Sequence, residues 1–144
     1  MVALVALVAL AAGGGARPAC ACRGPFPTWP VAMARADAIF VGTVTAVGQP
    51  RQRPGDPFGT IDISFTVERV WRGPRHRTIV VQTGNHTCGL RVEIGQQWVI
   101  LAAGKPLGTG ATSLDLLLRL ADGRRTEHSL APVEQALGPG SVPE

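Results

Sequence analysis

Residues 60–68, TIDISFTVE, alternate strictly. Ile61, Ile63, Phe65 and Val67 are apolar, while Asp62, Ser64, Thr66 and Glu68 are polar. A period of two buries one face and wets the other, which predicts a half-buried β-strand. The phase then slips, because Val70 follows Val67 by three positions. An unbroken strand would turn Arg69 inward. A β-bulge at Glu68–Arg69 restores the register and bends the strand, and bent strands are what a small closed barrel needs.

Other segments carry weaker versions of the signal. Residues 38–47, AIFVGTVTAV, are rich in β-branched side chains and end at Gly48-Gln49-Pro50, so they read as a strand. TIVVQT (78–83) is another strand. QQWVILAA (96–103) has few polar positions and is expected to be buried on both faces. TSLDLLLRL (112–120) fits a strand or a helical turn, and the hairpin signal Asp122-Gly123 favours strand. Residues 48–59 hold three prolines and read as an exposed loop. Short helices are expected over residues 31–36 and 132–137. The second has Ser129 upstream as a cap, Pro132 near its first position and Gly138 as its stop. Five or six short strands with short helices make the chain mainly β and leave sandwich and barrel open. The bulge tips the balance toward a barrel.

Composition refines this picture. A chain of 144 residues suits a single domain. Eighteen glycines and twelve prolines favour short elements over long helices. Tyrosine is absent, so the core should be mostly Val, Ile, Leu and Ala. The formal charge is +4, and Lys105 is the only lysine.

Residues 2–12 are continuously apolar and end at Gly13-Gly14-Gly15. A membrane helix needs about 20 such residues, so the run reads as the apolar region of a secretory signal. No Lys or Arg precedes it. Small residues are wanted at −1 and −3 of the cut. Cleavage after Ala16 places Gly14 at −3, and cleavage after Ala21 places Ala19 there. Cleavage after Ala19 makes Cys20 the first residue but puts Arg17 at −3. The expected organisation is a signal peptide over 1–19, one domain over 20–140 and a loose tail over 141–144.

The chain has three cysteines, Cys20, Cys22 and Cys88. In an exported domain cysteines usually pair. Cys20 and Cys22 are too close for a comfortable bridge with each other, so one of them should bond Cys88. Such a bridge closes a long loop and contributes roughly 4 kcal/mol in the chain-entropy model.

Read together, CAC at 20–22, ARADAIFVGTVTAV, FTVERVWRG, TIVVQTG, TCGLRVEIGQQWVILAAG and ALGPG resemble the netrin-like (NTR) domain. The type they are most similar to is the bacterial secreted proteins akin to tissue inhibitors of metalloproteinases. The resemblance spans residues 20–140. It implies an OB-like five-stranded barrel with short flanking helices. It also implies a Cys20–Cys88 bridge. In the family the second cysteine of Cys-x-Cys pairs with a cysteine on a later strand, where this chain has Asp115. Cys22 is therefore expected to be a free thiol. In the animal inhibitors the amine and carbonyl of an N-terminal cysteine chelate the zinc of the target protease, and the next side chain enters its specificity pocket. Carried over, Cys20 would be the chelator and Ala21 the pocket residue. An amine and the adjacent carbonyl make a sensible five-membered chelate on an open zinc position.

The remaining candidates are weaker. His76, His86 and His128 lack metal-ligand spacing. Cys20, Cys22, Cys88 and His86 could meet around a soft metal only if the thiols are unpaired. Arg69, Arg72, Arg75 and Arg77 with His76 form a basic cluster at one turn, which reads first as a solvated turn. Aromatic residues for base stacking are scarce, and export removes the usual nucleic-acid targets, so no nucleic-acid partner is expected. Asn85-His86-Thr87 matches a glycosylation acceptor, and no glycan is expected on it. No paired carboxylates, phosphate loop or nucleophile triad is present.

The function expected is that of a secreted, non-enzymatic domain without a cofactor. Its sharpest form is an inhibitor of a zinc metalloprotease. The alternatives are an extracellular or envelope interaction module without inhibitory activity, and a thiol or metal protein using Cys22.

Overall fold

The computed structural model describes residues 22, 25–110 and 113–144. Seven strands form one sheet: β1 (Ala38–Val47), β2 (Arg51–Arg53), β3 (Asp56–Arg72), β4 (Thr78–Gly84), β5 (Gln97–Ala102), β6 (Gly108–Thr109) and β7 (Leu116–Arg119). Helices α1 (Trp29–Arg35) and α2 (Ala131–Leu137) flank it. The sheet order is β6-β4-β3-β1-β5-β7, with β2 paired to β3 alone. β6 runs parallel to β4, and Gly108 also bridges Ala103 just past β5. One end of the curled sheet is thereby drawn round on itself. The fold is mainly β and barrel-like, with two short helices. Five strands have four residues or more, and β2 and β6 are short additions.

The bulge sits where the alternation slips. Val41 pairs with Arg69 and Gly42 with Val67, so Glu68 is the extra residue. Val67 and Val70 are both buried, while Glu68 is exposed. Two more shifts, at Trp71 on β3 and Thr45 on β1, bend the same pair further. Three bulges along one long strand pair supply the curl that a flat ladder lacks.

Two apolar layers follow from strand periodicity. Inside the curl lie Phe40, Val44, Ile63, Phe65, Val67, Val81 and Ile100. Phe40 and Phe65 meet edge to face at 5.5 Å, a favoured aromatic geometry. On the outer side, Ile39, Val41, Val99 and Leu101 pack beneath Ala32 and Met33 of α1 and Val133 of α2. β1 and β5 thus have covered faces on both sides, which is why QQWVILAA carries almost no polar alternation.

The helices are held from outside their own sequences. Arg72 Nη1 donates to the carbonyls of Met33 (2.5 Å) and Ala36 (2.9 Å), closing the C-terminal end of α1. Arg69 Nη1 meets Glu134 Oε1 of α2 at 2.5 Å. α2 has Pro132 in its first turn and stops at Gly138, whose φ of 80° is easily reached only by glycine.

Two expectations need correction. Residues 48–59 are not a plain loop. Arg51–Arg53 pairs back on β3, and Asp56 Oδ1 accepts from the amides of Phe58 and Gly59, both at 3.0 Å. These bonds hold the Asp56 carboxyl below its ordinary pKa. The tail is not loose either: Ser141 pairs with Val70 and the amide of Glu144 donates to Arg75 O. Among the described residues, no helix is long and apolar enough to cross a membrane.

Candidate functional site

Cys88 lies in the segment that leaves β4, and its surroundings are locally determined. Its amide donates to His86 Nδ1 at 3.1 Å. The Gly89 amide donates to His86 O at 2.9 Å. Leu90 N donates to the buried hydroxyl of Thr83 at 2.7 Å. A Cβ on Gly89 would sit 1.8 Å from Gly84 O, so no side chain fits there. Leu90 and Val92 then drop onto the inner core. The TCG block is thus held by hydrogen bonds to His86 and Thr83.

The sulfur that Cys88 meets belongs to Cys22, with the two Cα atoms 5.6 Å apart. This corrects the pairing implied by the resemblance: Cys88 bonds Cys22, not Cys20, and Cys22 is not a free thiol. A sulfur forms one disulfide, so with Cys22 bonded to it Cys88 has no bond left for Cys20. Cys20 and Ala21 lie outside the described residues. With Cys22 bonded, a reading that depends on its free thiol loses its nucleophile and its soft metal ligand. Among the described residues, no group of three His, Cys, Asp or Glu side chains is placed to hold a metal ion.

The bridge borders a cleft of about 340 Å³, whose walls include Phe26, Leu90, Trp98, Arg91 and Asp115. Phe26 is 72% exposed. On the far side of Cys88, the His86 ring meets Phe58 edge to face at 5.6 Å. Phe26 and the disulfide thus share one cleft, and His86 links the cysteine segment to Phe58 at the β2–β3 hairpin.

Asp115 is the residue expected where the family has a cysteine, and it lines the same cleft as the Cys22–Cys88 bridge. Its Oδ1 accepts from Leu101 N at 2.7 Å, doing for β5 what a strand carbonyl would do beyond the end of β7. Its Oδ2 accepts from the Thr109 hydroxyl of β6. Burial raises its pKa to about 7, against the opposing pull of the Thr109 and Leu101 hydrogen bonds. One carboxyl therefore ties β5, β6 and the approach to β7 together.

The other candidates disperse. His76 lies in the β3–β4 turn and His86 in the cysteine segment, while His128 Nε2 is 3.9 Å from Glu127 Oε1. The basic cluster divides: Arg69 and Arg72 hold the two helices, while Arg75 and Arg77 are exposed. Sequence reasoning missed these two structural roles because they depend on helices 36 and 65 residues away.

Compared with protein-family models and with curated proteins, the chain matches none.

Proposed function

We propose that the chain is a secreted, non-enzymatic binding domain of the NTR type, similar to metalloproteinase inhibitors, and that its working edge is the surface around Cys22. The observation that carries this reading is the Cys22–Cys88 bridge, which fixes residue 22 on the barrel beside an exposed phenylalanine. Cleavage after Ala21 meets the small-residue requirement with Ala19 at −3. It would make Cys22 the first residue, with its thiol bonded and its amine and carbonyl unblocked. Those two atoms are the five-membered chelate that an open zinc position accepts. The side chain offered to the pocket beyond the zinc would be Arg23, and Phe26 would add apolar contact beside it.

N-terminal sequencing and intact mass of the exported protein test the first step, with Cys22 as the expected first residue. A fluorogenic peptide assay against a zinc endopeptidase tests the second. The chain starting at Cys22 is expected to inhibit, and the same chain carrying one extra alanine before Cys22 is expected not to. Equal inhibition by both, or by neither, removes chelation. An interaction module without inhibitory activity then remains.

A further inference from the structure

A second cleft, also about 340 Å³, shares no lining residue with the first. Its origin is strand register. Gln97 on β5 pairs with Arg119 on β7, and Arg119 in turn forms an isolated bridge with Arg125 beyond the Asp122-Gly123 turn. Directly opposed residues project from the same face of a sheet about 5 Å apart. The register therefore roots two arginines side by side on one face, and like charges so placed cost stability when nothing neutralises them.

Among the described residues, neither Arg119 nor Arg125 makes an ion pair or a side-chain hydrogen bond. Carboxylates that meet cleft residues have partners of their own, and Asp122 in the adjoining turn is paired with Arg124. Glu68 accepts from Gln97 Nε2 at 2.6 Å and Thr43 Oγ1 at 2.9 Å, and Glu127 faces His128. His128 and Ser129 complete the polar rim, while Leu118 and Leu130 form an apolar floor.

We propose that this cleft binds an organic phosphate or sulfate monoester, with the oxyanion on Arg119 and Arg125 and the apolar body on Leu118 and Leu130. Two guanidinium forks with an imidazole and a hydroxyl offer more donors than the two oxygens of a carboxylate use. They match the three terminal oxygens of a monoester. The volume exceeds what a bare phosphate fills and falls in the range of small-molecule sites. No bond is made or broken, so this is a binding site only. It is independent of the proposal about Cys22.

Titration calorimetry of the full exported chain at fixed ionic strength provides the test, with phenyl phosphate, phenyl sulfate, inorganic phosphate and phenol as probes. Both phenyl esters should bind at least about tenfold more tightly than inorganic phosphate, and phenol should not bind. The double variant R119Q/R125Q should lose at least about tenfold in affinity, while the charge-matched R75Q/R77Q should keep wild-type affinity. Without ligand, R119Q/R125Q should melt at or above the wild-type temperature, because it relieves a like-charge contact. Should the double variant fail to fold, R125Q alone serves, since Arg125 is exposed. Equal loss of affinity in the two charge-matched variants, or inorganic phosphate binding as tightly as the phenyl esters, overturns the proposal.

Discussion

Asp115 holds its carboxyl between the Leu101 amide and the Thr109 hydroxyl, in surroundings that push its pKa up to about 7. The sign of the consequence is fixed. A folded-state pKa above the unfolded value means that the folded protein binds the proton more tightly, so this group's stabilising contribution is full at acid pH. It is lost as the pH rises through 7. Wild-type melting temperature should therefore fall between pH 5 and pH 8, and D115N should flatten that slope. At pH 5 Asp115→Leu should lose on the order of 1–3 kcal/mol, because the Leu101 amide is left without its acceptor, and this loss should shrink toward pH 8 as the wild type gives up the same group's contribution. Urea unfolding at pH 5 and pH 8 separates the two variants. Little of this was legible beforehand. The sequence showed an acidic residue in a leucine-rich segment, and the resemblance marked the position as that of a lost cysteine. That a carboxyl would cap the end of β5 depends on where β7 begins, which the ambiguous LLL run does not say.

At the scale of elements, the strands with clean period-two or β-branched signals, β1, β3, β4 and β5, were legible to within a residue or two at most ends. The bulge at Glu68 was readable from a single phase slip. What failed was what depends on pairing rather than on local pattern. Arg51–Arg53 has no apolar alternation and forms a strand only because β3 extends beneath it. Ser141 is ordered only because Val70 offers an open edge. The curl built by these strands centres on Phe65, fully buried against Phe40. Phe65→Ala should cost roughly 3–5 kcal/mol in urea unfolding. Arg72 works between elements, carrying a charge from β3 to the carbonyl end of α1. Arg72→Met should cost about 1–3 kcal/mol and should speed amide exchange in α1 more than in β5. Equal acceleration in both would mean that the loss is global and that Arg72 does not act as the cap of α1.

For the molecule as a whole, the disulfide spans a sequence separation of 66 residues. Cys88→Ser should lower stability by up to about 4 kcal/mol in the chain-entropy model, and reducing agent should have the same effect on the wild type and none on the variant. The barrel-like class was legible because the bulge, the turns and the strand lengths agree with one another. The identity of the bonded N-terminal cysteine was not, because Cys20 and Cys22 are equivalent in spacing terms and close nearly the same loop with Cys88.

The bridge also divides the chain topologically. α1 and β1 to β4 lie between the two cysteines, and β5 to β7 and α2 lie beyond them. Arg53 precedes Pro54 and is no trypsin site, but Arg51 sits exposed in the hairpin inside the closed loop. A trypsin nick there leaves the two pieces joined by sulfur, running as one species on a non-reducing gel and as two after reduction. A nick after Arg125 releases the C-terminal piece under either condition. The protein can thus be cut within its first half and still keep every strand tethered to the rest.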